Sequence, residues 1–348
     1  MRILVPLLPG LGDALTASPI LRAAIESGAE LDILTMLEPV AEYARALEGV
    51  RDVIHIPLLE AKVRDVLCAL SLRHRNYDLL VLPFPATRWQ YALFARAMSA
   101  RRWVLHDYGG LSRIFAHSAT TTFVPLVGGH RIWENHRLAV AAGLPASYDR
   151  SYLIPDAWKG ENRQANTIAV HTGSMAFKGN ETKRWPLERF RELIVSQLAK
   201  ERSVRLFVAP DEGAHALAFA DFEGRPNFEL LSIPLAATAR SLSECTLFIG
   251  NDSGIAHLAA GLGVGCIVLC GMTNPTRLAP IGAVKALRPS HCPSCHDEGT
   301  RRFSCVKYLR YRCIAEDISS ALVNEHIERA LAGGLPELEI SQHGRYSL

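Results

Sequence analysis

Short apolar runs alternate with stretches of helical spacing along most of the chain. Strands are predicted at Arg2 to Leu8, Leu31 to Met36, Val53 to Ile56, Asp78 to Leu82 and Trp103 to Leu105. Between them, Ala14 to Ser27, Pro39 to Leu47, Leu59 to Leu72 and Arg88 to Met98 repeat apolar residues near every 3.6 positions, and a helix near Ile132 to Ala142 closes the series. Such alternation predicts a doubly wound parallel sheet. The segment Ser151 to Gln164 is polar in its second half and broken by Pro155 and Gly160, which marks a linker. Beyond it the alternation restarts, with strands expected at Thr167 to His171, Val204 to Val208, Phe228 to Leu231, Leu247 to Ile249, Cys266 to Leu269 and Val284 to Leu287. Pro186 suits the start of a helix whose apolar face is Leu187, Phe190, Leu193, Ile194 and Leu198, and a last helix is expected from Ile318 to Leu331. Two Rossmann-like halves are therefore expected.

Composition agrees with this picture and narrows the partners. With 348 residues the chain is long for one core and suggests two. Hydrophobic residues at 49% and charged residues at 21% exclude disorder, and 38 basic against 35 acidic side chains leave a net charge of +3, too little to imply nucleic acid. The first strand is interrupted by Pro6 and followed by Pro9, too short for a signal or membrane segment, so a cytoplasmic protein is expected. Its eight cysteines then read as thiols or metal ligands rather than disulfides.

Three segments carry candidate chemistry. In Leu247 to Ala260 an apolar strand ends at Gly250, and Asn251, Asp252 and Ser253 are capping types just ahead of a new helix. Amides at a helix start attract anions; Gly254 permits close approach, and His257 lies one turn in. An ordinary capped turn needs only one of these residues, so their crowding favours a phosphorylated ligand. At the first strand-to-helix turn, Gly10 and Gly12 fit a dinucleotide fingerprint, but its third position falls on Leu15. Asp13 there would repel a pyrophosphate, which argues against an NAD-dependent oxidoreductase; it reads either as a helix cap or as a general base. The third segment, His171 to Pro186, offers Thr172, Gly173 and Ser174 to phosphate oxygens, with Lys183 as a point charge and Arg184 as a second cation. Cations before a helix are disfavoured by its dipole unless an anion joins them.

These segments resemble glycosyltransferase family 9, the ADP-heptose lipopolysaccharide heptosyltransferases and their relatives. The likeness rests on GLGDALTASPILRA, TKRWPLERFRELI and FIGNDSGIAHLAAGLG followed by GMTNP, in that order over most of the chain. Two departures stand out: GMTNP replaces the family's GPTDP, and the loop between Ser174 and Lys183 has its own spacing. The resemblance implies a GT-B architecture in which two Rossmann-like doubly wound domains face a central cleft. An acceptor-binding domain of residues 1–155 would carry the catalytic base, and a nucleotide-sugar domain would span 165–316. A helix and tail at 317–348 would pack back on the first domain.

The implied reaction moves a heptose or related sugar, with inversion, from an ADP-type donor to a lipopolysaccharide-core or other cell-surface glycan. Asp13 matches the base. Gly12, Thr172, Gly173, Ser174, Lys183, Asp252, Ser253, Gly254 and His257 match donor contacts, and Glu212 falls near a ribose-reading position. Lys183 and the helix start at Gly254 would stabilise the leaving diphosphate, so no cofactor is required for catalysis. Alternatives are a family relative with another donor or a protein or polysaccharide acceptor, and a non-catalytic carbohydrate-binding protein with a nucleotide site.

Arginines at 73, 75, 88, 101, 102, 113 and 131 are candidates for an anionic, lipid-linked acceptor or for peripheral contact with the cytoplasmic face of the inner membrane. Within an insertion at about 289–314, Cys292, Cys295, Cys305 and Cys313 are spaced to hold a structural zinc or iron, with His291 and His296 as substitutes and free thiols as the alternative. The four remaining cysteines, Cys68, Cys245, Cys266 and Cys270, read as core.

Overall fold

The computed structural model describes residues 1–57, 67–68, 70, 71–160, 162–174, 184–210, 212–290 and 313–343. The chain divides into two compact units: Met1–Pro155 with the described tail residues 341–343, and the described residues from Asp156 to Ile340. The first holds β1 (Arg2–Leu7), β2 (Glu30–Thr35), β3 (Val50–His55), β4 (Tyr77–Val81), β5 (Ala100–His106) and β6 (Thr121–Val124), ordered β3-β2-β1-β4-β5-β6. In the second are β7 (Thr167–His171), β8 (Ser203–Phe207), β9 (Phe228–Leu231), β10 (Leu247–Asn251), β11 (Gly265–Leu269) and β12 (Val284–Leu287), ordered β12-β11-β10-β7-β8-β9. Every pairing within both sheets is parallel.

Parallel strands covered on both faces need continuous apolar runs, and β1, β7 and β10 are buried almost throughout. Edge strand β6 reads TTFV with only Val124 buried, so it lacked the apolar run that reveals the others. In both sheets the strand order reverses beside the first strand, between β1 and β4 and between β7 and β10. Ligands of open α/β sheets bind at such points, beyond the carboxyl ends of the strands.

The single helix expected at Ala14 to Ser27 is two, Leu11–Thr16 and Ser18–Glu26. Pro19 has no N–H for the Leu15 carbonyl, which accepts the Ser18 hydroxyl instead, and the break leaves Asp13 on a short helix of its own. The helix Leu187–Leu198 buries Phe190, Leu193 and Ile194, and Trp185 just before it is enclosed with its indole N–H on the Ile318 carbonyl at 2.7 Å. The last helix, Ser320–Gly333, buries Val323, Ile327 and Ala330 in the same apolar cluster. The Ser341 carbonyl then accepts from the His130 amide at 2.6 Å. Most of the helix expected at Leu59 to Leu72 lies outside the described residues. Among the described residues no helix is long and apolar enough to cross a membrane.

Cysteines at 245, 266 and 270 are buried, and burial pushes the Cys245 thiol up to about 11. Cys68 is exposed, which corrects its reading as a core residue.

Candidate functional site

In the first unit the end of β5 and the segments after β1, β4 and β6 gather around the helix Arg131–Ala141. Asp13 is mostly buried and forms an ion pair with Arg131, the first residue of that helix. A cation at a helix start is opposed by the dipole, and Asp13 together with Glu134 in the first turn offsets it. His130 caps the helix, its Nδ1 accepting from the Ile132 amide at 3.2 Å.

Two polar residues on the buried face of this helix tie the loops to it. The fully buried Asn135 accepts from the Phe84 amide at 2.7 Å and donates to the carbonyls of Phe84 and Thr16, at 3.1 and 3.0 Å. Glu134, also fully buried, accepts from the amides of Val127 and Gly129, each at 3.1 Å, and from Arg137 at 3.0 Å. Neither residue was singled out in the sequence. The signal was there as Asn and Glu on a buried face shared with the apolar Ile132, Leu138 and Ala139 and with His136.

The candidate arginines divide by sheet end. Arg75, ahead of β4, donates to Asp52 and, with Arg51 and Tyr77, to the fully buried Asp32. Burial alone would raise the Asp32 carboxyl, but these hydrogen bonds outweigh it and hold it below the usual range. Arg73 donates to the Ala97 carbonyl, Arg101 pairs with Asp78 and Arg102 donates to the Ala142 carbonyl. Arg101 and Arg102 open β5 at its amino end, away from the switch point, whereas Arg88, Arg113 and Arg131 follow the carboxyl ends of β4, β5 and β6.

In the second unit the turn after β7 meets the turn after β10. Asn251, the buried last residue of β10, accepts from the Trp185 amide at 2.8 Å and donates to the Thr172 carbonyl at 2.7 Å. Ser253 caps the helix Gly254–Gly261, accepting from the Ala256 amide at 3.4 Å. Its hydroxyl also lies 3.3 Å from Nδ1 of His171, whose Nε2 faces Glu212 at 3.6 Å. A carboxylate only accepts, so the His171 Nε2 turns an N–H toward Glu212. The Ser253 side chain thus serves the cap and His171, and the first-turn amides of the helix are the groups that face outward along its axis. Asp252 and His257 flank this turn and are mostly buried. At the end of β11, the buried Thr273 hydroxyl has no partner among the described residues.

Glu212 precedes the helix Gly213–Ala218 and is turned inward. It accepts from the Ala209 amide at 3.1 Å and lies 3.6 Å from Arg184. Burial would raise its carboxyl, but His171 and the Ala209 amide outweigh that and lower it. Gly173 packs directly on this carboxylate, and a Cβ there would fall 1.7 Å from Glu212 Oε1. The structure therefore brings Thr172, Gly173, Ser174, Glu212, Asp252, Ser253, Gly254 and His257 to one end of the second sheet. It places Gly12 and Asp13 at the corresponding end of the first. Lys183 lies outside the described residues.

Cys292, Cys295 and Cys305 also lie outside them. Cys313, the fourth of the set, is buried at the start of the helix Cys313–Asp317. Among the described residues no three His, Cys, Asp or Glu side chains gather as metal ligands.

Comparison with known proteins agrees with this architecture. The profile of glycosyltransferase family 9 (heptosyltransferase) matches residues 68–301. A lipopolysaccharide heptosyltransferase 3 of Escherichia coli is 26% identical over 212 residues, which cover 58% of this chain and 62% of the relative. The matched region thus spans about three fifths of that relative's length. Among solved structures, E. coli heptosyltransferase WaaC with ADP superposes with a TM-score of 0.71 at 19% identity, over 94% of this chain and 99% of that one. A family 9 glycosyltransferase from Veillonella parvula gives a TM-score of 0.75 at 18% identity, over 95% and 97%. These structural neighbours share the GT-B fold of two Rossmann-like domains.

Proposed function

Because the chain belongs to glycosyltransferase family 9, we propose that it transfers a heptose or related sugar from an ADP-linked donor to a lipopolysaccharide-core or similar cell-surface glycan. The observation that carries this reading is the pairing of the Thr172–Ser174 turn with the capped helix start at Gly254, at the switch point of the second sheet. Both turns present backbone amides and small residues, which suits the diphosphate of a nucleotide sugar. The names of the E. coli relative and of the ADP-bound neighbour support the choice of sugar and nucleotide.

Asp13, at the switch point of the first sheet, is the proposed base. It takes the proton of the acceptor hydroxyl as that oxygen attacks the anomeric carbon, and the nucleoside diphosphate leaves from the opposite face with inversion. Charge building on the leaving phosphate is met by the helix amides and, by the same reading, by Lys183. Arg88, Arg113 and Arg131, at the carboxyl ends of their strands, favour an acceptor with anionic groups, met at the cytoplasmic face of the inner membrane.

Incubation with ADP-heptose, other ADP-sugars and UDP- and GDP-sugars, each with truncated lipopolysaccharide acceptors, tests the reading. Release of ADP and of a product with inverted anomeric configuration is expected from ADP-heptose. Turnover confined to a uridine or guanosine donor would replace the donor, and turnover only with a protein or a different polysaccharide would replace the acceptor.

A structural zinc or iron on Cys292, Cys295, Cys305 and Cys313 is part of the same proposal and supplies no catalytic step. Protein purified without added metal should carry about one equivalent of bound metal, lost in Cys313→Ser. Equal metal content in the two proteins would remove that site.

A further inference from the structure

Arg184 stands between the donor turn and the buried end of β10, one residue before Trp185. Its guanidinium is largely buried; Nη2 donates to the Ser174 carbonyl and Nε lies 3.4 Å from the Ser174 hydroxyl. The third nitrogen, Nη1, lies 3.3 Å from Nε2 of His215. On the other side of that ring, Nδ1 lies 2.9 Å from the Thr172 hydroxyl.

A guanidinium can only donate, so His215 Nε2 must present its lone pair to Arg184. The ring then holds one proton, on Nδ1, and gives it to the Thr172 oxygen. A neutral ring is also what its surroundings favour: burial lowers the His215 pKa, Arg184 and His171 lower it further, and Glu212 opposes them. Having accepted from His215, the Thr172 hydroxyl must spend its own proton elsewhere. Thr172 has no other side-chain hydrogen bond among the described residues, so none of them takes that proton. In the opposite tautomer the hydroxyl would donate to His215 and turn its lone pairs outward, toward a phosphate oxygen that also only accepts.

We propose that Arg184 and His215 are positioning residues of the donor site: Arg184 selects the Nδ1–H form of His215, and that form makes Thr172 a hydrogen-bond donor to the diphosphate of the nucleotide sugar. This rests on assigning the Thr172–Ser174 turn to the diphosphate, and it adds two residues that touch no substrate atom.

The tautomer can be read without any assay of transfer. Long-range proton–nitrogen spectra of the full chain labelled in histidine, with His215→Gln to identify the resonances, should show His215 neutral and protonated on Nδ1 at neutral pH. In Arg184→Met the proton should move to Nε2. Arg184→Lys should keep the Nδ1–H form, because an ammonium also only donates, and it serves if the Met variant does not fold. Calorimetric titration should show ADP binding weakened about tenfold, or 1.4 kcal/mol, in Arg184→Met and in Thr172→Val, with adenosine binding unchanged.

A wild-type His215 protonated on Nε2, or a tautomer indifferent to Arg184→Met, would overturn the positioning pair. Equal loss of ADP and adenosine binding would overturn its link to the diphosphate. An Nδ1–H His215 in a wild-type chain that binds no ADP would leave the pair standing and overturn the nucleotide assignment instead.

Discussion

Asp13→Asn is expected to lose sugar transfer by roughly a hundred- to ten-thousand-fold while binding ADP as the wild type does. The amide keeps the size of the carboxylate and retains an oxygen for Arg131, so the short helix Leu11–Thr16 keeps its place. What disappears is the group that receives the acceptor's proton. Apart from Gly12, which offers only its backbone, the donor contacts are assigned to the second unit and are untouched. Steady-state kinetics with each substrate varied in turn should therefore show the loss in kcat, with the KM for the donor unchanged. Transfer within about threefold of wild type would end the assignment of Asp13 as base, since such a loss is far below what a positioned base contributes. A parallel loss of ADP affinity and melting temperature would mean that the residue serves folding.

The second large effect is expected at Gly173. An alanine there puts its methyl group onto the Glu212 carboxylate, and the carboxylate has little freedom to withdraw. It is buried, takes the Ala209 amide and faces both His171 and Arg184. Either Glu212 gives up those partners or the turn after β7 shifts, and the turn carries Thr172 and Ser174. Overpacking of this kind costs about 3 kcal/mol, or roughly 6–12 °C in melting temperature for a unit of this size. ADP affinity should fall at least about tenfold because the turn moves. Glu212→Ser in the same chain should recover part of the lost melting temperature. If it recovers none, the contact with Glu212 is not the cause.

Fold and site were legible to different depths. Eleven of the twelve strands were legible as short β-rich runs, and the central β1, β7 and β10 carried the continuous apolar stretches that a parallel strand buried on both faces needs. The exception was β6, an edge strand with two threonines. The break before Ser18 was written in Pro19, but the apolar spacing ran across it unchanged, and only the carbonyl freed at Leu15 shows why the helix must stop. Turn residues of the donor site stood out because Thr, Gly, Ser, Asp and Asn are placed where a strand ends and a helix begins.

Side chains that hold those turns did not stand out. Asn251 was legible as a capping type, yet its work is to join the Trp185 amide to the Thr172 carbonyl, residues 66 and 79 positions away. His215 and His171 gave no local signal, since their partners come from other strands. Likewise the basic residues of the first unit looked alike in the sequence. Only the direction of each strand separates Arg75, committed to Asp32 and Asp52, from Arg131, committed to Asp13.

Asn135 and Glu134 give the helix Arg131–Ala141 a further meaning for engineering acceptor choice. Between them they hold the main chain at Thr16, Phe84, Val127 and Gly129, so two loops and the end of the helix Leu11–Thr16 are locked to one helix by buried hydrogen bonds. A loop grafted alone from a homologue would arrive without its lock and leave a buried carboxylate or amide unsatisfied. The transferable cassette is therefore the helix together with the segments around residues 16, 84 and 127–130, exchanged as one piece.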